Sequence, residues 1–482
     1  MTKAITGRNS RLRRGRVAAM ANFLAVTAGT VILVFMPHDD RVIAAPMFAI
    51  AAVSLVYVTI LWTRDGEPPL FEVGTLLVLS TAAYGILSLV GFLLMHGAWD
   101  SFSDFRLRAY PFDASELGRF GWRCMIYLTT FVIVYLAVRR DAAVGRLQML
   151  MPSGATVAAI VSLLTALLLF KFFLRVTYGF DTGSYEHLDE LVSIAQRTPY
   201  LLQQVGHNLI AALLLVQQAV LILLMILWRH RLSRLIVVIW LLTDAAGTVA
   251  HLGSRTMTMT LILSAALVYH RLVKPISFPA VALGGALLLA GFVVFGYNRI
   301  AMMGEASGSG VLTTMNEFQA IFANAFDLYK RKELGTLPPV PWQIYASDLY
   351  MPIPSQLLPF AKLEPGTWYA DLLGMGDSGI GTMFGVMAQA AIGWDWIELV
   401  LRGAVLGVLF ALLHRWYVRH AAQFWPTLFY LFLTVWTYYT FRATTFRFVY
   451  FVIYQFLPVM VAVKLFELPL KRVFARPVTR GG

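Results

Sequence analysis

Apolar runs of near-uniform length recur from one end of this chain to the other, and no other feature constrains its folding so tightly. About 20 apolar residues in an α-helix cover the roughly 30 Å hydrocarbon core of a bilayer. Twelve such runs can be drawn: Val17–Met36, Val42–Trp62, Phe71–Met95, Phe120–Val138, Gly154–Leu174, Gly206–Trp228, Leu235–His251, Met257–Val273, Phe278–Tyr297, Trp396–Leu413, Trp425–Phe441 and Phe446–Phe466. Membrane β-strands would be shorter, about 10 residues of alternating polarity. The pattern therefore predicts an all-α, polytopic integral membrane protein of about twelve spans. A soluble protein is excluded by composition. Of 482 residues 59% are hydrophobic and 13% charged, against about 25% charged in soluble domains, and a globular core could not hide so much apolar surface.

The loop charges give an orientation. The basic segment before Val17 leads into an apolar run longer than that of a cleaved signal peptide, which predicts a retained first helix with its N-terminus inside. The even-numbered connections are then the basic ones, carrying Arg139, Arg140 and Arg146, then Arg229, Arg231 and Arg234, then Arg271 and Lys274. The tail carries Lys471, Arg472, Arg476 and Arg480. Loop charges of this kind explain much of the net charge of +13, so no nucleic-acid partner is read from it. Gly379–Gly393 is apolar but too short to span and is expected to be re-entrant or to lie on the surface, which leaves both termini cytoplasmic. The single cysteine, Cys124, allows neither an internal disulfide nor a cysteine metal cluster.

This topology divides the chain into 1–297 with nine helices, a large outer segment 298–395, and 396–482 with three helices and the tail. An outer segment of that length suggests a lid or small domain. Within it Thr313–Lys332 has Phe318, Phe322, Phe326 and Tyr329 at helical spacing with polar residues between, which predicts an amphipathic helix at the membrane interface. The stretch after it is rich in proline.

Ionisable residues inside spans are costly and point to function. Asp244, Thr248, His251 and Arg255 share one face when read as a single helix, a polar stripe from mid-membrane to the outer surface. A structural ion pair with a snorkelling arginine would read the same way. In the last outer turn, Phe441 to Arg447, Arg442 and Arg447 occupy a side the orientation rule keeps poor in positive charge. Guanidinium groups match phosphate oxygens in bidentate geometry, and Tyr438, Tyr450 and Tyr454 flank the pair. Lipid headgroups meeting interfacial arginines are the plainer reading. Arg299 is a further outer cation. Outer candidates for an acid or base are His207, His251, Glu305, Glu317, Asp348, Glu364, Asp371 and Asp377, most of which read as solvated loop residues. No nucleotide-binding loop, serine elbow or His-Glu-x-x-His occurs.

Gly253-Ser254-Arg255 at a helix end, the stretch Pro352 to Lys362, and Gly379 to Gly393 followed by a helix with Gly403 and Gly407 resemble the O-antigen polymerase family, the Wzy-type oligosaccharide repeat-unit polymerases. The resemblance covers roughly residues 230–460. Where members often carry an acidic residue, between Met383 and Gly393, this chain has Gln389. The resemblance implies a membrane-embedded fold like that of the C-class glycosyltransferases, in the bacterial inner membrane, with the large loop periplasmic. It implies undecaprenyl-diphosphate-linked oligosaccharides as substrates and undecaprenyl diphosphate as leaving group. No cofactor or metal is expected, because arginines would carry the diphosphate charge. Arg255 and His251 are then the expected catalytic residues. Arg442, Arg447, Arg299, Asp244 and Tyr450 are expected at the substrate. A chain-length regulator and a flippase are the implied partners. An O-antigen ligase-type transferase, another polyprenyl-phosphate glycosyltransferase, and a lipid-linked oligosaccharide transporter or flippase stand as alternatives.

Overall fold

The computed structural model describes residues 20, 22–65, 68–102, 104–139, 149–178, 200–250, 255–277, scattered positions of 279–291, 310–375 and 383–474. Every regular element among them is a helix. In chain order the principal ones are α1 (Asn22–Phe35), α2 (His38–Asp65), α3 (Val73–Met95), α4 (Ala114–Arg139), α5 (Gly154–Tyr178), α6 (Tyr200–Ile226) and α7 (Arg231–Ala250). They continue with α8 (Arg255–Val268), α9 (Gly310–Glu333), α10 (Pro365–Leu372), α11 (Val386–Ile392), α12 (Trp396–His420), α13 (Phe424–Trp436) and α14 (Arg447–Lys471).

Among the described residues six helices are long and apolar enough to cross a membrane: α2, α3 with its extension to Ser101, α4, α5 as far as Leu174, α12 and α14. Shorter apolar helices coincide with four other expected spans, at Asn22–Phe35, Ala212–Ile226, Thr258–Val273 and Phe424–Trp436. The outward faces are apolar too. Leu169 and Phe172 of α5 are 64% and 65% exposed, and α12 exposes Leu401, Val405, Leu409 and Leu412. Surfaces of this kind are suited to lipid rather than water. The protein is an α-helical membrane protein.

The chain falls into two compact units, 1–144 with 296–418 and 436–448, and 145–295 with 419–435 and 449–482. In the first unit close helix contacts rest on small residues. A Cβ at Gly121 of α4 would lie 2.6 Å from Pro46 Cγ in α2, and one at Gly118 would lie 2.6 Å from the carbonyl oxygen of Val42. Gly403 and Gly407 of α12 face α4 in the same way, 2.8 Å from Tyr127 O and 3.0 Å from Phe131 O. Such residues let helix backbones approach where apolar burial alone gives no drive in lipid. At one end of this unit the buried Arg139 donates to Glu72 at 2.6 Å and pairs with Asp65, and Tyr135 Oη donates to Glu72 at 2.5 Å. Arg139 is thus a buried pairing group, not the free loop charge its sequence position suggested.

The described part of 298–395, the segment expected to be outer, belongs to this first unit. Its main helix, α9, covers the expected Thr313–Lys332, but the expectation of a surface-lying helix needs correction. Phe318, Ile321, Phe322, Ala325 and Phe326 are buried, and so are Gln319, Asn324 and Asp327, so the polar and apolar faces are both enclosed by protein. Asn324 and Asp327 can be enclosed because each has partners. Arg106 donates to Asn324 and is held by Asp104, with Arg106 Nε 2.6 Å from Asp104 Oδ1. Asp327 accepts from Tyr110 at 2.9 Å, Tyr369 at 2.8 Å and Arg331 at 2.9 Å. Burial and the bond to Asp327 push the Tyr110 hydroxyl up to about 12, and the same causes raise Tyr369. In the described part of Gly379–Gly393, α11 is a seven-residue helix buried throughout, far too short to cross a bilayer.

In the second unit Gln218 of α6 donates to Ser264 beyond α7 at 2.9 Å, and Thr156 of α5 donates to Glu467 of α14 at 3.0 Å. Asp244 of α7 accepts from Thr258 of α8 at 2.8 Å. A continuous straight helix would separate residues 14 positions apart by about 21 Å. The two residues therefore stand on separate helices, as the expected spans Leu235–His251 and Met257–Val273 have it, and α8 opens at Arg255. The rest of the expected stripe, the side chains of Thr248 and Arg255 and all of His251, lies outside the described residues.

Candidate functional site

A cleft of about 260 Å³ opens in the first unit where three pieces of chain meet. The N-terminal end of α10 contributes Glu364, Pro365, Gly366 and Thr367. The approach to α11 contributes Met383 and Phe384. The turn between Tyr439 and Arg447 contributes Tyr439, Arg442, Ala443, Thr444 and Arg447. The two arginines singled out from the outer turn thus line one cavity. Arg447 Nη1 stands 3.2 Å from Glu364 Oε1, whose side chain is 49% exposed and so open to a ligand. Arg442 Nε donates to Met383 Sδ, 3.2 Å away, a weak acceptor. Close by, Lys362 Nζ donates to Met351 O at 2.8 Å. Partial burial and the positive charge of Arg447 both hold Lys362 below the usual lysine range. Among the described residues the cleft lining carries two guanidinium groups and one carboxylate, with Lys362 close enough to feel Arg447, an excess of positive charge of the kind an anion site has.

The turn that carries the arginines is held from below by side chains of three elements. Gln389 of α11 accepts from Thr445 N at 3.0 Å and from Thr445 Oγ1 at 2.9 Å. Its amide nitrogen donates to Asp348 Oδ2 at 2.9 Å. Asp348 Oδ1 accepts from Phe446 N at 3.1 Å. Arg402 of α12 donates to Asp348 at 2.6 Å and to Thr445 Oγ1 at 3.0 Å, while its other edge meets Glu398. Two successive backbone N–H groups are thereby fixed directly between the two arginines, which gives the preorganisation an anion site needs. Gly385 completes the support. A Cβ there would meet Phe441 O at 2.5 Å and Ile321 Cγ2 at 2.8 Å, so only glycine lets the α11 approach lie against the turn. Asn324 of α9 donates to Met383 O and ties the same approach to the buried network around Arg106.

The remaining expected residues distribute differently. Asp244 is engaged with Thr258 in the second unit. Tyr450 also belongs to that unit and packs on Tyr454, ring centroids 4.5 Å apart. His251 and Arg299 lie outside the described residues, as does the side chain of Arg255. Arg402 and Gln389 were not singled out as site residues in the sequence. Arg402 left a usable signal, a charged residue inside an apolar span, which is costly unless partnered. Gln389 left only its place where the resembling family often has an acid.

Comparison of the chain with family models, curated proteins and solved structures finds no match. The functional reading therefore rests on the residues and their geometry.

Proposed function

We propose that this protein is a membrane-embedded glycosyltransferase of the polymerase type, joining undecaprenyl-diphosphate-linked oligosaccharide units at the periplasmic face of the bacterial inner membrane. The observation that carries this reading is the joint lining of one cleft by Arg442, Arg447 and Glu364, with Lys362 beside them. The wider arrangement proposed with it has about twelve spans and both termini in the cytoplasm.

In this reading the arginines receive the diphosphate of the donor. A hydroxyl of the acceptor sugar attacks the donor's anomeric carbon while the bond from that carbon to the diphosphate oxygen breaks. The electron pair leaves with undecaprenyl diphosphate, and the two guanidinium groups stabilise the charge that develops there. The hydroxyl proton passes to Glu364, a half-exposed carboxylate on the cleft wall. Arg442 and Arg447 carry the binding role expected of them, and Glu364 takes the base role first considered for His251.

The test uses the full chain in nanodiscs with an undecaprenyl-diphosphate-linked repeat unit, products being separated on a gel. Wild type is expected to give a ladder. Arg442→Ala and Arg447→Ala are each expected to lose about 10²–10³-fold in rate, the range for removing one charge-stabilising donor. A ladder unaffected by either substitution refutes this use of the cleft. Transfer only after addition of a separate lipid acceptor would show a ligase-type reaction instead.

A further inference from the structure

Residues 334–362 connect α9 to the cleft and are chemically odd for a loop. In 29 positions they hold only two charged residues, Asp348 and Lys362, and six prolines. Asp348 is turned inward, its side chain 6% exposed and paired with Arg402. Lys362 is bonded back to Met351 O. The inner side of the segment is an apolar layer, with Ile344 and Tyr350 buried and Phe360 packed edge-on to Trp342 and Tyr350 at 4.9 and 5.3 Å. The outer side is largely apolar and carries few polar groups, Thr336, Ser355 and Gln356 being the exposed ones. Leu349 is 78% exposed, Leu357 73%, Trp342 55% and Tyr345 49%. A loop facing water would present polar groups there, and large exposed apolar surface marks a contact with something apolar.

Two physical constraints identify that contact. Irregular, proline-rich backbone leaves peptide groups that only water or protein can satisfy, so the segment is excluded from the hydrocarbon core. Its outer side chains are nevertheless unsuited to bulk water. The layer that meets both conditions is the lipid headgroup region, where tryptophan and tyrosine place an apolar body and a polar edge together. The segment is also continuous with a lipid-suited surface. Tyr345 Oη donates to Ile392 O at 3.3 Å, and just beyond lie Trp394 and Trp396, 71% and 56% exposed, at the start of α12. α12 itself is a candidate membrane span with an exposed apolar face.

We infer that residues 334–362 form a non-spanning surface element docked into the headgroup layer of the bilayer beside α12, through Trp342, Tyr345, Leu349 and Leu357. The inference does not depend on glycosyl transfer. Its consequence is that Lys362 and Glu364, at the end of the element, stand at the depth of lipid phosphates.

The test places an environment-sensitive fluorophore on single cysteines introduced as Leu349→Cys and Leu357→Cys, with Leu409→Cys in mid-α12 as the deep reference. The native Cys124 is buried and stays unlabelled. The full chain is placed in phospholipid nanodiscs containing nitroxide lipids labelled either near the headgroup or deep in the acyl chain, and iodide serves as the aqueous quencher. Both loop sites are expected to be quenched at least about twofold more by the shallow nitroxide than by the deep one, with Leu409→Cys showing the reverse, as a side chain at the headgroup boundary requires. Quenching by iodide with no response to either nitroxide would overturn the inference and leave a protein partner as the cover for this face. Preferential quenching by the deep nitroxide would overturn it too, by placing the element in the hydrocarbon. Two separately labelled sites guard against one label disturbing the fold.

Discussion

Replacing Gln389 with methionine, which keeps its length and removes its polarity, tests whether the turn between Arg442 and Arg447 is held in place from α11. The substitution deletes three hydrogen bonds, two from Thr445 and one to Asp348. At about 1 kcal/mol net each, and with the buried Thr445 N–H left without its acceptor, the local loss is about 3 kcal/mol. If that loss falls wholly on the arrangement that binds an anion, affinity drops by up to about 100-fold. Hydrogen exchange of the peptide covering 443–448 should accelerate, and binding of undecaprenyl diphosphate to the full chain in nanodiscs should weaken. Gln389→Glu sharpens the test. Its carboxylate can still accept from Thr445 but confronts Asp348 with no donor, with Arg402 and Glu398 as the other charges nearby. Repulsion from Asp348 raises the affinity of the new carboxyl for a proton, and the protonated form regains a donor, so this variant should recover binding as pH falls. Unchanged exchange at 443–448 in the methionine variant would refute the reasoning whatever binds. Accelerated exchange without weaker binding would show that the turn is held by Gln389 but is not the anion site.

Three further outcomes follow from the same geometry. Gly385→Ala should cost about 1–3 kcal/mol, because the backbone oxygen of Phe441 cannot move aside as a side chain would; a thermal unfolding temperature equal to wild type would contradict this. Gln319 of α9 is fully buried with neither amide atom hydrogen-bonded, so Gln319→Met should stabilise the protein by about 1 kcal/mol or more, read as a higher unfolding temperature. Tyr110 binds its proton more tightly folded than unfolded, so its contribution to stability is complete below about pH 10, the unfolded value, and is lost as pH rises through the folded value of about 12. Tyr110→Phe should flatten that alkaline loss in a pH series of thermal unfolding.

The helices were legible because apolar runs long enough to cross lipid have few other uses. All six helices long enough to span, and four shorter ones, fall on expected runs. Within Gly379–Gly393 the described helix, α11, has seven residues. Arg442 and Arg447 were legible because they broke the charge rule of the side expected for them, and both line one cleft. What failed was any inference that needed a distant partner. Asn324 and Asp327 looked like the wet face of an amphipathic helix, yet their partners Arg106 and Tyr110 lie more than 200 residues earlier in the chain. Asp348 looked like a solvated loop acid, and Arg402, 54 residues on, buries it. Thr258, in the next helix, gives Asp244 its hydrogen bond, a pairing that the spacing along one helix could not name. Periodicity reports which face of a helix is apolar; it cannot report which polar groups meet across the fold.

The glycine contact between α12 and α4 also limits how this protein can diversify. Gly403 and Gly407 rest on the backbone of Tyr127 and Phe131, a joint with no side chain that can be traded for another, and Arg402 stands directly beside it. Lineages adapting to a different ligand would find this joint closed to change, together with the turn anchored to it. Freedom is left at the cleft rim, at Pro365 to Thr367 and at Met383 and Phe384. Related proteins with different ligand preferences should therefore differ at the rim while keeping the two glycines and the arginine that precedes them.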